Sequence, residues 1–110
     1  MSDMDITVNE YIDKNGDSPY EEWLVSLKDV KGKAAVISRV DRMELGNFGD
    51  SEPVGGGVSE LRIHIGPGYR VYFVRDGKAV YLLLCGGNKS TQKKDIKLAK
   101  GYWAEHKSGK

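Results

Sequence analysis

Glu60, Arg62 and His64 alternate in one short stretch of this chain, and Arg70 and Tyr72 alternate in the next. In an extended strand such residues share one face, and neighbouring strands lie about 4.8 Å apart. The five side chains therefore fit on one patch. Their types suit cleavage of RNA by its own 2′-hydroxyl. That reaction needs a group to take the hydroxyl proton, a group to protonate the leaving 5′-oxygen, and cations for the extra phosphate charge. Histidine does the first two near neutral pH. Arginine binds phosphate oxygens bidentately, and tyrosine stacks on a base or holds the phosphate. The chemistry calls for no metal or other cofactor, and no His/Asp/Glu cluster has metal-ligand spacing. Each residue also has a plainer reading. Glu60 and Arg70 make a cross-strand ion pair, His64 and Arg62 are ordinary exposed strand residues, and Tyr72 is an aromatic covering the sheet.

The elements that would hold these groups are read from periodicity. Residues 58–65 alternate, with Leu61, Ile63 and Ile65 on one side, and Gly66-Pro67-Gly68 supplies a turn. In 69–75, Tyr69, Val71 and Phe73 share a face opposite Arg70 and Tyr72. Asp76-Gly77 signals a two-residue hairpin, and 79–85 is apolar enough for a central strand buried on both faces. Upstream, 5–11 alternates as a half-buried strand. Ser18-Pro19-Tyr20-Glu21 reads as a capping box opening a short helix with Trp23, Leu24 and Leu27 on its apolar side. A second helix follows Lys31-Gly32-Lys33, with Val36, Ile37, Val40 and Met43 at helical spacing and Gly46 as its C-cap. Residues 46–57 are a glycine-rich connection without periodicity. A last helix runs from Ser90 to about Lys107 with Ile96, Ala99 and Trp103 on one side and Leu98 and Tyr102 beside them. The fold class is α+β, with the order β-α-α-β-β-β-α and a small antiparallel-rich sheet. Helices on one face leave the other open, and the charged patch is expected on that open face.

Composition sets the bounds. A chain of 110 residues makes one domain, 1–110, with one core. No segment approaches the ~18 apolar residues of a membrane span, and the start carries Asp3, Asp5 and Glu10 but no base before Lys14, unlike a secretory signal. Cys85 is the only cysteine, so no internal disulfide forms and the cytoplasm is the expected compartment. The thiol reads as a small core residue. Net charge is +1, but residues 1–61 hold 6 Lys/Arg against 13 Asp/Glu and residues 62–110 hold 11 against 3. Either the second half builds a basic face for a polyanion, with Lys93, Lys94 and Lys97 in it, or acidic helices pack beside the basic tail. His106 reads as an unremarkable residue of the last turn.

The stretch LLLCGGNKSTQKKDI, residues 82–96, poses the choice between a phosphate cradle and a helix cap. Gly86 and Gly87 are expected to let the strand bend out of the sheet, and Asn88 or Ser90 to cap the last helix. Lys89 then stands at the rim of the patch, beside Arg62 and Arg70. The three glycines at 55–57 lack the pattern of a nucleotide loop and read as a flexible connection.

Glu60-Leu61-Arg62-Ile63, Gly66-Pro67-Gly68-Tyr69-Arg70-Val71-Tyr72-Phe73 and Gly86-Gly87-Asn88-Lys89-Ser90-Thr91-Gln92 together resemble the RelE/ParE superfamily of bacterial toxins. The branch is the HigB-like group of addiction-module killer proteins, or phage-derived Gp49-like proteins, and the likeness spans residues 6–104. It implies a RelE-like fold and an endoribonuclease that cleaves messenger RNA, usually on the translating ribosome. It also implies a co-expressed helix-turn-helix antitoxin of the HigA kind, through which alone the pair contacts operator DNA. Arg70 matches the arginine on the scissile phosphate, Arg62 a basic position on the preceding strand, and Lys89 the basic residue after the last strand. His64 has no counterpart at its own position and is the candidate acid or base. Tyr72, Lys93, Lys94 and Lys97 are the expected RNA contacts. Lys94-Asp95-Ile96 stands where relatives carry a tyrosine or histidine, and Asn88 replaces an aspartate. Two alternatives share the fold: a ParE-like toxin that binds DNA gyrase, and an inactive antitoxin-binding module.

Overall fold

The computed structural model describes residues 5–109. Eight main elements follow one another: β1 (Thr7–Glu10), α1 (Pro19–Ser26), α2 (Val30–Met43), β2 (Ser51–Gly55), β3 (Val58–Ile63), β4 (Tyr69–Arg75), β5 (Val80–Asn88) and α3 (Gln92–Ser108). A 3₁₀ turn, Lys89–Thr91, leads into α3. The five strands form one sheet in the order β1-β5-β4-β3-β2, with β1 parallel to β5 and every other pair antiparallel. No described helix is long and apolar enough to cross a membrane.

The α+β class and the expected element order are present, with one strand added. Residues 51–55 pair with β3, although Pro53 and Gly55 gave them no strand-like pattern. Proline is tolerated there because β2 is an edge strand. The β2–β3 turn uses Gly55, Gly56 and Gly57, all at positive φ. Ser18 caps α1 by accepting from the Glu21 amide at 3.0 Å. The second helix begins earlier than its apolar spacing suggests, because Asp29 accepts from the Gly32 amide and caps it. The β4–β5 connection is four residues, 76–79, rather than two; Asp76 donates its amide to Val80 and Ala79 takes φ 60°.

One expectation needs correction: the sheet has no open face. Leu61, Ile63, Tyr69, Val71, Phe73 and Leu83 meet α1 and α2 on one side. On the other, Val58, Tyr72, Val74, Leu82, Leu84 and Cys85 meet Ala99 of α3, with Ile96, Tyr102 and Trp103 packed beside them. The reason is energetic. Each large apolar side chain left in water forfeits about 1.5–3 kcal/mol, and β5 carries leucines on both faces. A bulge pairs Tyr72 with Cys85 and Phe73 with Leu83, which turns Leu84 and Cys85 together toward α3. Leu98 lies outside this contact and is 43% exposed.

Gly86 and Gly87 do not bend β5 away. They stay in the sheet, opposite Val71 and Arg70. Each leaves room for a neighbour: a Cβ on Gly86 would collide with the Trp23 ring, and one on Gly87 with the Asp95 carboxylate. Gly86→Ala and Gly87→Ala are therefore predicted to destabilise the chain by about 1–3 kcal/mol each. Gly101→Ala, where a Cβ meets open space within α3, is predicted to stabilise it by about 0.5–1 kcal/mol. Urea unfolding of the three variants checks both signs.

Candidate functional site

Arg62 and Arg70 are direct cross-strand partners on β3 and β4. Two like charges in that position repel, so carboxylates must be supplied, and Glu60, Asp50 and Glu52 supply them. Glu60 is 4% exposed and Arg70 is 7% exposed, both beneath the start of α3. Gln92 of α3 donates its amide to the Glu60 carboxylate at 2.8 and 3.2 Å. Arg70 Nε lies 3.6 Å from Glu60 Oε1, an ion pair without a hydrogen bond, and this buried N–H has no acceptor among the described residues. Arg70, His64 and Lys89, with the Ile65–Gly68 turn, line a shallow pocket of about 290 Å³.

Arg62 is held elsewhere. Its guanidinium donates to Asp50 Oδ1 through Nε at 3.1 Å and Nη2 at 2.7 Å, and Nη2 lies 3.2 Å from Glu52. The hydrogen bond to Asp50 raises the Arg62 pKa from its ordinary value. His64, just past β3, points Nε2 at Asp50 Oδ2, 2.5 Å away. Hydrogen bonds from Arg62, then from His64, hold the Asp50 carboxyl down at about 2. A carboxylate at Nε2 keeps the proton of a neutral imidazole there and leaves Nδ1 as the acceptor. Arg39 of α2 secures the segment that brings Asp50, donating to the carbonyls of Arg62 at 2.6 Å, Phe48 at 3.0 Å and Asp50 at 3.3 Å.

Three of the four expected catalytic side chains, His64, Arg70 and Lys89, thus share one pocket, while Arg62 flanks it in an ion cluster. Asp50, Glu52 and Arg39 are absent from the expected set because they lie in or touch the segment that read as structureless. Lys89 is exposed, and its amide donates to the Gly68 carbonyl at 2.8 Å. Lys93, Lys94 and Lys97 line an adjoining groove of about 560 Å³ with Ser90 and Thr91. Asn88 caps the 3₁₀ turn, accepting from the Ser90 amide at 2.9 Å.

Tyr72 is the exception among the expected RNA contacts. Its ring is 0% exposed beneath α3, and burial, then the charges of Glu60 and Asp95, push its hydroxyl pKa upward. It is a core residue and has no face to offer a base. Cys85 is also core: its thiol reaches the Asp95 carbonyl, and burial pushes its pKa up to about 12. His106 pairs with Asp76 at 3.0 Å and stacks on Trp103, far along α3 from the pocket. Among the described residues, no three His, Cys, Asp or Glu side chains converge as a metal donor set.

Comparison with known proteins adds two findings. The family model described as Phage derived protein Gp49-like (DUF891) matches residues 22–102. A protein of Haemophilus influenzae, named only as uncharacterized, is 49% identical over 81 residues, which is 74% of this chain and 82% of that protein. The matched segment runs from α1 through most of α3 and contains every pocket residue.

Two predictions follow from the ion cluster and the buried ring. Asp50 is lower in the folded chain than the ordinary value of about 3.9, so its contribution to stability is complete above about pH 4 and is lost as pH falls toward 2. Asp50→Asn should be less stable than the native chain at pH 6, with the difference closing between pH 4 and 2, measured by denaturant midpoints across pH. Tyr72→Phe removes a buried hydroxyl that has no hydrogen-bond partner among the described residues. It should change stability by no more than about 1 kcal/mol, read from denaturant midpoints.

Proposed function

Because this chain belongs to the phage-derived Gp49-like family, a RelE/HigB-like toxin family, we propose that it is the endoribonuclease toxin of a toxin–antitoxin pair. The observation that carries this reading is Arg70, a nearly buried guanidinium that lines a pocket together with an exposed lysine and a histidine. A charge buried at this depth loses most of its hydration and is retained where it meets an opposite charge. Glu60 meets it from one side only. A phosphate in the pocket would meet it from the other.

The chemistry is transphosphorylation. The 2′-oxygen attacks the adjacent phosphorus while His64 Nδ1 takes its proton; the bond to the 5′-oxygen breaks, and that oxygen takes a proton from solvent water. The products are a 2′,3′-cyclic phosphate and a 5′-hydroxyl. Arg70 and Lys89 stabilise the charge that develops on the phosphate oxygens. Asp50 orients His64 and stabilises the imidazolium that forms. Arg62 acts through this cluster, holding Asp50 in place. Lys93, Lys94 and Lys97 follow the RNA backbone along the adjoining groove; each contributes a salt-dependent phosphate contact. The substrate is messenger RNA on the translating ribosome in the cytoplasm, and a helix-turn-helix antitoxin restrains the toxin between episodes of use.

A second reading draws on the same side chains. Arg62 is surrounded by carboxylates and Arg70 faces Glu60, an arrangement that also suits a toxin acting by binding alone, as a gyrase-directed relative would. Growth and transcript mapping separate the two. Arg70→Ala should abolish growth arrest, lowering cleavage by about 10²–10³-fold, with a circular dichroism spectrum like that of the native chain. Native induction should leave messenger RNA cut at codon-related positions. Full toxicity of folded Arg70→Ala, or intact transcripts with DNA damage, would overturn the nuclease reading.

A further inference from the structure

The charge imbalance of the first half finds a place on α1. Two grooves flank this helix and share Glu21. The first, about 510 Å³, has Ile12 and Val25 on its walls and Asp17, Glu21 and Glu22 at its rim. The second, about 230 Å³, has Leu24, Ile37 and Val40 on its walls and Glu10, Asp41 and Glu44 at its rim. Among the described residues, no lysine or arginine lines either one. Val25 is 64% exposed, Ile12 53% and Ile37 41%, so the apolar walls face water. At the floor of the second groove, burial raises the Tyr20 pKa, and the nearby carboxylates of Glu10, Glu21 and Asp41 raise it further.

Surface carboxylates gathered without counter-ions repel one another, and exposed valine and isoleucine side chains gain nothing from water. Both costs vanish against one kind of surface, an apolar stripe flanked by cations. We infer that the α1 grooves are a docking site for a lysine- and arginine-rich amphipathic helix of a separate protein. Its apolar residues seat between Ile12, Val25 and Ile37, and its cations meet the acidic rims. The α3 helix of a second copy carries lysines around exposed Leu98 and has some of the same chemistry. Such a contact joins two different surfaces of the same chain, however, and would build a ring or an open chain of many copies, a stoichiometry that sedimentation separates from one bound partner. The grooves share no residue with the Arg70 pocket, so occupancy of one leaves the lining of the other in place. The inference rests on the α1 surface alone and stands whether or not the pocket cleaves RNA.

The test uses a fluorescein-labelled 18-residue helical peptide with leucines along one stripe and lysines beside it, titrated with the whole chain and read by anisotropy. Saturable binding is expected, weakening at least tenfold in Ile12→Asp/Val25→Asp and in Glu21→Lys/Glu22→Lys. Leu45→Asp, which changes an 84% exposed residue outside both grooves, should bind as the native chain does. The changed side chains are exposed, and thermal melts establish that each variant is folded. Three outcomes would overturn the inference: no saturable binding, unchanged affinity in both groove variants, or equal binding of a peptide with glutamate in place of lysine. A fourth would do so as well: self-association of the native chain, seen by sedimentation and lost in Val25→Asp, would make a second copy the occupant.

Discussion

Glu60 is the side chain on which site and fold both depend. It is buried between the sheet and α3, faces Arg70 at 3.6 Å, accepts from Gln92 at 2.8 Å and stands 3.9 Å from Arg62. A buried carboxylate survives only where charge and hydrogen bonds replace water. Here the two strand arginines supply the charge and the first turn of α3 supplies the hydrogen bond. The same contact therefore seats the helix on the sheet and sets the direction of the guanidinium that lines the pocket. Docking of α3 and the geometry of the pocket cannot vary independently.

The alternation of β3 and β4 was legible from the residues alone, and it separated Leu61, Ile63, Val71 and Phe73 from Glu60, Arg62, Arg70 and Tyr72 as the structure does. What alternation does not reveal is which face meets water. The signal for a second covered face was present in β5, where Leu82 and Leu84 cannot share a side with Leu83. The apolar side of the last helix, Ile96, Ala99 and Trp103, was the layer those leucines required. Tyr72 read as exposed because a charged neighbourhood suggests solvent. In this fold the charges of Glu60 and Arg70 are themselves buried. Asp50 and Glu52 escaped notice for another reason: an edge strand of Ser-Glu-Pro-Val-Gly gains its shape from pairing with β3, a tertiary effect that local propensity does not record.

The distribution of charge has a comparable logic. The chain carries nearly balanced charge, yet Glu10, Asp17, Glu21, Glu22, Asp41 and Glu44 rim the grooves beside α1 while lysines collect along α3 and beside the pocket. The sheet lies between these helices, with α1 and α2 on one face and α3 on the other. The acidic grooves and the lysine-lined groove are thus kept on separate surfaces, where each can recognise a partner of opposite sign. On the reading offered above, nucleic acid approaches the lysine side and a basic protein segment the acidic side.

The most direct measurement is the chemistry of the ends produced when the purified chain meets messenger RNA on translating ribosomes. The proposed transphosphorylation predicts upstream fragments ending in a 2′,3′-cyclic phosphate and downstream fragments beginning with a 5′-hydroxyl. Uncut RNA, or fragments with a 5′-phosphate, would contradict it.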